Sequence, residues 1–521
     1  MTAMRTMTMG DIAREHRRSR PELPAVVDGD VRLDHRTLDQ RSTQLANALS
    51  AAGVGKGDRV VWFGQNSFRL LELIIAGAKI GSITVPLNWR EHVSNLSTAI
   101  NEAAPRLVMW QEEEIGESVS KVRAEVREEV TWLQHDGPEY ELFVQSGSAV
   151  DAEIAFSGDD PVLAIYTANA DAGPNAALLT HSAVLIESLA IGRISEISDL
   201  TVFLNSGPLF HLGTLVSTIS TFHHGGTNVF VRRVEPELLC QVIEAERCDR
   251  AFLTPPTVAS MREMVAQHPY DLSSLWPGIS PDEWHSVTPS LNPTSGRSGS
   301  YGQSEVMGLA TFAGLGRPSK SPFGRPLPTV SLRVFDPSGR ECEVGEVGEL
   351  VFRGPTVTSG FLNRPDLDAA RSINGWHHTG DLGYRETDGS IRFVAPLGRL
   401  IKSASENIHP VEVERCLQQH EAVSDVCVIG VPDVHWGQVV KALVVLAPES
   451  TVDLESLSDF ARTRIAAFKK PRLLQIVEAI PRLANGQIDR PAADQLGGGG
   501  GYPGEHSGSA GHVAVKTKTT H

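Results

Sequence analysis

Residues 301–305, Tyr-Gly-Gln-Ser-Glu, put an aromatic ring, a glycine, a hydroxyl and a carboxylate within five positions. A ring can stack on a base and a carboxylate can hold a magnesium ion. Tyr301, Gly302, Ser304 and Glu305 are therefore candidates for nucleotide and metal contacts. A turn with an exposed glutamate is the plainer reading of the same residues. Residues 379–381, Thr-Gly-Asp, place a carboxylate just after a glycine. A carboxylate that accepts ribose hydroxyls is a recurring nucleotide contact, so Asp381 is the candidate ribose ligand, against the alternative of an ordinary turn aspartate. In the loop "PLFHLG", residues 208–213, His211 can contact a reacting group or gate a pocket, or serve only the fold.

A fourth stretch, "YTANADAGPNAALLTH" from Tyr166 to His181, joins an apolar strand-like run, "PVLAIYT", to a run of helical spacing, "SAVLIESLA". Ser182 is one possible helix start. A loop from strand to helix is a common phosphate cradle, because backbone N–H groups converge there. Such a loop usually carries glycines, hydroxyls and a lysine. This one offers Thr167, Asn169 and Asn175 as its polar groups, with Asp171 adding negative charge.

These residues need a scaffold. A chain of 521 residues exceeds one ordinary core, so two or more domains are expected. Its net charge of -16 argues against nucleic acid as a main partner. No apolar run reaches the roughly 18 residues of a membrane helix, and the N-terminus lacks a signal-type apolar core, so a cytoplasmic location is expected. The five cysteines form no CxxC pair and read as reduced core thiols.

Strand-like and helix-like runs alternate over residues 24–100 and again from about 161 to 275, the rhythm of doubly wound α/β sheets. Residues 111–129 read as a solvated acidic helix, and 276–300 as a long Pro-, Gly- and Ser-rich loop. The stretch "PTVSLRVFDPSGRECEVGEVGELVFRGPTV" reads as short strands with turns. The expected fold is α/β: residues 1–397 form a large domain of two doubly wound subdomains plus a small β-rich one. A small α+β domain follows over 398–495, then a Gly-rich tail over 496–521 that is expected to be disordered.

The motifs "GDRVVWFGQN", "VPLNWR", "PLFHLG", "YGQSE", "GEVGELVFRGPTV", "GWHHTGDLG", "ENIHPVEVE" and "NGQIDR" occur in the order found in the adenylate-forming superfamily. The chain resembles its acyl-CoA synthetases from about residue 10 to 492. The resemblance implies a large AMP-binding domain, a small C-terminal domain that moves about a hinge, and ATP, Mg2+ and coenzyme A as cofactors. It implies two half-reactions: an acid and ATP give an acyl-adenylate, and the acyl group then passes to a thiol. Coenzyme A or an acyl-carrier protein is the acceptor, and a fatty or ring-bearing acid is the substrate. Small residues at Gly213, Gly308 and Ala310 leave room for such an acid. Glu305 and His211 take catalytic roles by this resemblance, with Glu305 also the metal ligand.

The chain departs from the family pattern at four places. The phosphate loop, Thr-Ser-Gly-Thr-Thr-Gly-x-Pro-Lys-Gly in the family, keeps Thr167, Pro174, Thr180 and His181, but its lysine position holds Asn175. The C-terminal catalytic lysine position holds Gln487, which can donate a hydrogen bond without charge, while Arg490 matches. The segment before Tyr301 is shorter than the family's glycine-loop region. At the hinge, the family's Gly-Arg-x-x-Asp falls on Ala395, Pro396 and Arg399, so Arg399, three residues late, is the substitute nucleotide contact. Three functions stay open: a ligase with a rebuilt phosphate site, an impaired binding protein on the same fold, and an acyl transferase with inefficient adenylation.

Overall fold

Short runs buried on both faces, such as Arg59–Phe63 and Pro161–Thr167, need cover from helices on each side, and they become strands of a mainly parallel sheet. The computed structural model describes residues 6–127, 129–167, 175–275, 300–314, 317–397, 400–403, 406–483 and 486–500. The chain divides into two units, Met1–Arg399 and Leu400–His521.

In the first unit one sheet has six strands, in the order Thr131–Gln134, Leu107–Trp110, Arg59–Phe63, Ile83–Pro86, Pro161–Thr167, Asn175–Thr180. All pairings are parallel except the last, where Thr167 lies opposite Asn175. A second sheet runs Arg250–Ala251, Val202–Asn205, Thr227–Phe230, Pro24–Asp28, Val31–Asp34, with only the final pairing antiparallel. Helix Phe68–Ile80 packs against strands of both sheets and is buried on nearly every side. Ser67 caps its first turn, and Gly81, at φ +75°, ends it in the left-handed conformation that favours glycine.

The β-rich subdomain is an antiparallel sheet of Ser331–Phe335, Gly348–Arg353, Trp376–Arg385, Ser372–Ile373 and Ile391–Pro396. A small antiparallel sheet joins Ser300–Tyr301, Thr311–Phe312 and Arg325–Pro326. The second unit pairs Val423–Asp433 with Gly437–Leu446 and packs helices Pro410–Leu417, Leu454–Arg462 and Arg490–Gly497 on the resulting sheet. The two subdomain sheets, the β-rich sheet and the α+β unit are the expected architecture.

Three local expectations are corrected. The helix after the phosphate-type loop spans His181–Ser195, and its cap is Thr180 rather than Ser182, with the Thr180 hydroxyl accepting from Ala183 N–H at 3.1 Å. The acidic segment holds a helix only over Gly116–Glu125, and that helix buries Val119 and Val122. The tail does not begin at residue 496: helix Arg490–Gly497 runs through it, Lys441 Nζ donates to the Gly497 carbonyl at 2.8 Å, and Gly497 lies against Ile429 and Leu443. The loop 276–299, Asn169 and Arg399 lie outside the described residues.

Candidate active site

The turn from Tyr301 to Ala310 is built around glycine. A Cβ on Gly302 would sit 1.6 Å from the Gly308 carbonyl oxygen, so no side chain fits. The Gln303 carbonyl accepts from Val306 and Gly308 N–H, and Met307 and Gly308 take positive φ values of 61° and 99°. This folds Gln303, Ser304 and Glu305 back over the strand. Thr358 N–H donates to the Glu305 carbonyl at 2.7 Å and anchors the turn to the "GPTVTSG" loop.

Asp381 arrives on strand Trp376–Arg385. The Thr379 hydroxyl accepts from Asp381 N–H at 3.0 Å and donates to Leu350 O at 2.7 Å. Tyr301 Oη and Gln303 Nε2 both donate to Asp381 Oδ2, at 2.6 and 2.7 Å. Oδ1 accepts nothing among the described residues and is left for an external donor. The Tyr301 ring is only 5% exposed and stacks on Phe352 and Phe393. Its ring faces are thus used inside the subdomain, and it reaches the site through its hydroxyl, not as an open platform for a base. Burial, with the Asp381 charge beside it, holds that hydroxyl protonated.

Glu305 is half-buried. Burial raises its pKa, while its own backbone N–H, the Thr167 hydroxyl and the Arg371 guanidinium act the other way. Two polar atoms of this region, Gln303 Oε1 and His377 Nε2, are buried and unpartnered among the described residues. Buried polar atoms are normally satisfied, so this set suits a polar ligand. A carboxylate with a hydroxyl beside it is a hard oxygen donor set of the kind magnesium takes, and Asp381 Oδ1 suits a ribose hydroxyl.

The phosphate-type loop differs from the sequence expectation. Asn175 is 0% exposed and accepts a short hydrogen bond from Arg364 Nη1 through Oδ1, so it does not present its amide to solvent. Arg364 precedes helix Pro365–Arg371, and Arg371 ends it. Seven residues is close to two helical turns, so the two guanidinium-bearing positions share one side, about 10 Å apart along the axis. One reaches Asn175. The other donates to His378 O at 3.3 Å and lies against Gly380, beside Asp381. The sequence reading missed both arginines, as well as Gln303.

His211 precedes helix Leu212–His224, and its carbonyl accepts from Thr214 and Leu215 N–H. Asn66, from the motif "GDRVVWFGQN", holds the preceding loop: Nδ2 donates to Gly207 O at 2.8 Å and Oδ1 accepts from Leu209 N–H at 3.0 Å. In the second unit Gln487 is exposed on a turn closed by Gly486, which has φ +83°. Arg490, matched to a family position by sequence, forks onto Glu414 at 2.5 and 2.8 Å and donates to Val428 O at 3.2 Å. Lys469 pairs with Glu412 at 2.9 Å.

The two-unit α/β chain, with its β-rich subdomain carrying Tyr301, Glu305 and Asp381, has the architecture of the adenylate-forming enzymes. Comparison with known proteins agrees. The profile "AMP-binding enzyme" matches residues 13–362, and "AMP-binding enzyme C-terminal domain" matches 412–487. The chain belongs to the AMP-binding enzyme family. It is 30% identical to a feruloyl-CoA synthase of Amycolatopsis sp, over 93% of this chain and 98% of that one. It is 29% identical to a fatty acid–[acyl-carrier-protein] ligase of Streptomyces coeruleorubidus, over 91% and 93%. It is 26% identical to a long-chain-fatty-acid–CoA ligase of Mycobacterium tuberculosis, over 92% and 96%. Among solved structures, o-succinylbenzoate CoA synthetase of Bacillus subtilis superposes with TM-score 0.77 at 23% identity, covering 93% of this chain and 98% of that one. The amide bond synthetase of Marinactinospora thermotolerans gives TM-score 0.77 at 22% identity, covering 94% and 99%. The curated relatives carry ligase and synthase names, which gives no support to an impaired binding protein. No helix among the described residues is long and apolar enough to cross a membrane.

Proposed function

We propose that the protein joins a fatty or ring-bearing carboxylic acid to the thiol of coenzyme A or a carrier protein, in the cytoplasm, through an acyl-adenylate. The relatives carry those two acceptors and those acid classes in their names. The observation that supports the site assignment is the convergence of Tyr301 Oη and Gln303 Nε2 on one oxygen of Asp381, which leaves the other for a ribose hydroxyl. Glu305 with Thr167 would hold Mg2+, which when bound offsets phosphate charge.

In the first half-reaction the acid's carboxylate oxygen attacks the α-phosphorus of ATP and pyrophosphate leaves. In the second the thiol sulfur attacks the acyl carbon and AMP leaves. The first develops negative charge that the family's two lysines stabilise, and here those positions hold Asn175 and Gln487. On our reading Arg364 and Arg371 supply the cations instead, one at each end of their helix. Preorganised cations at developing charge are among the largest catalytic terms. Arg490 is a strut of the second unit, and His211 borders the acid.

The test is pyrophosphate release from Mg-ATP with a panel of fatty and aryl acids, followed by thioester formation with coenzyme A. Release with at least one acid supports the reading. AMP binding without release for any acid would overturn adenylation.

A further inference from the structure

We propose that Gln438 is a positioning residue: its buried amide ties the strand that opens the second unit to the C-terminal segment, and residues 497–500 act as a latch on that strand. The unit boundary falls between Arg399 and Leu400, and strand Ile401–Ser403 follows at once. Among the described residues, ladder pairing holds this strand to strand Gly437–Leu446 at a single register, Ser403 opposite Gly437. The next bond comes from a side chain. Gln438 is 1% exposed, and its Oε1 accepts from Lys402 N–H at 2.8 Å. Its Nε2 donates to the Gly500 carbonyl at 3.0 Å. One amide thus joins the first strand of the unit to the far end of its described chain.

The C-terminal segment is built to reach that amide. Helix Arg490–Gly497 packs on strands Val423–Asp433 and Gly437–Leu446, and Lys441 Nζ holds the helix's last carbonyl. Gly498 and Gly500 then take φ values of +71° and +99°, a turn that glycine permits and other residues resist. The turn returns the chain to the free edge of strand Val423–Asp433, where Gly500 N–H donates to the Gly430 carbonyl at 3.1 Å. Arg490 bonds the Val428 carbonyl on the same strand. A Cβ on Gly430 would lie 2.9–3.1 Å from the Gln438 amide atoms, so glycine there leaves room for the amide. The glycine run is therefore a specified path with a partner at its end. A hinge is a few residues that absorb a change in φ and ψ, and it works between elements that stay rigid. On the ligase reading, on which this inference rests, the small unit moves between the two half-reactions. The latch confines that bending to the chain before Ile401.

The test uses the full chain with Gly500→Val, which unseats the end of the latch and leaves Gln438 and the first unit untouched. Gln438→Leu, which removes both amide bonds, is the companion variant. Amide hydrogen exchange reads Lys402, thermal unfolding reads the fold, calorimetry reads AMP affinity, and steady-state assays read thioester formation. Both variants are expected to speed exchange at Lys402 by about 3- to 10-fold, the worth of one hydrogen bond. Ala442 and Val444, fully buried in the central hairpin, keep their protection. The kcat for thioester formation falls by about threefold or more, as for other hinge-side changes. AMP affinity stays as in the natural protein, and so does the thermal midpoint of Gly500→Val. Unchanged exchange at Lys402 in Gly500→Val overturns the latch. Faster exchange with an unchanged kcat overturns the positioning role. Faster exchange throughout the unit, with a lowered midpoint in Gly500→Val, makes these contacts ordinary packing and overturns the proposal as well. If the natural protein forms no thioester with any acid, the ligase reading falls, and exchange at Lys402 alone decides the latch.

Discussion

Asn175 Oδ1 accepts a hydrogen bond from Arg364 Nη1 at a position 0% exposed to solvent, directly across the strand pair from Thr167. The side chain where the family has its phosphate-loop lysine is therefore already committed, and to a cation. A lysine there would put an ammonium beside a guanidinium in a buried place. Asn175→Lys is expected to leave pyrophosphate release no faster and to destabilise the fold by about 3 kcal/mol or more. Parallel assays of release and of urea midpoint check both. Faster release would show that the position still faces phosphate.

If Arg364 and Arg371 carry the charge, removing either should cost rate rather than fold. Both are near the surface side of their short helix, and Arg364 is only partly buried. Arg364→Gln and Arg371→Gln are each expected to lower kcat/KM for ATP by about 10- to 100-fold. Thiol transfer from a supplied acyl-adenylate, which forms no pyrophosphate, should change little. Steady-state kinetics on the two half-reactions separately read the difference.

The Tyr301 hydroxyl holds Asp381 in place without needing an open ring face. Tyr301→Phe keeps the stack with Phe352 and Phe393 and removes one donor from a buried carboxylate. AMP affinity should fall about tenfold and stability by about 1–2 kcal/mol. Asp381→Asn should abolish nucleotide binding at comparable stability. Calorimetric titration with AMP and thermal unfolding of both variants give the comparison.

The sheets could be read ahead because their signal is local. Continuous apolar runs such as "RVVWF" and "PVLAIYT" have no other stable use than buried strands. Asp381 and Glu305 could be singled out because each sits in a short cluster of unusual composition. Gln303 was passed over although it lies inside such a cluster, because its role depends on Asp381, 78 positions away. Arg364 meets Asn175 across 189 positions and begins what reads as an ordinary surface helix. Local pattern gives elements and single motifs; which side chains meet across the fold is a property of packing.

Several histidines of the first unit are buried in the neutral form. Burial first, then the neighbouring His35, lowers the His16 pKa to about 4, and burial does the same for His181 and His223. His35 is shifted in the same direction, mainly by burial. His16 Nε2 bonds to Phe222 O at 2.8 Å and His35 Nε2 to Gly225 O at 3.1 Å, as neutral donors. Unfolded histidine titrates near 6.5, so between about 6.5 and 4 the unfolded chain binds more protons than the folded one. Stability contributed by these groups is complete above about 6.5 and is lost as pH falls toward 4. The urea midpoint should drop across that window, and His16→Gln should flatten the slope. A midpoint independent of pH there would show that these rings are not sealed from water.

Arg490 offers the sharpest separation of structure from catalysis in the second unit. Its guanidinium forks onto Glu414, whose Oε1 also accepts from Val428 N–H at 2.7 Å, and it begins helix Arg490–Gly497 against strand Val423–Asp433. Removing it leaves the Glu414 carboxylate buried with one remaining donor. Arg490→Ala is expected to cost about 3–5 kcal/mol, because the penalty of an uncompensated buried charge exceeds the worth of the pair itself. Glu414→Gln with Arg490→Met, replacing both charges, should recover much of that loss. If the role is a strut, the double variant regains both stability and thioester formation, whereas a nucleotide-contacting arginine would leave adenylation lost however stable the protein became. Thermal unfolding together with pyrophosphate release on the single and double variants decides between them.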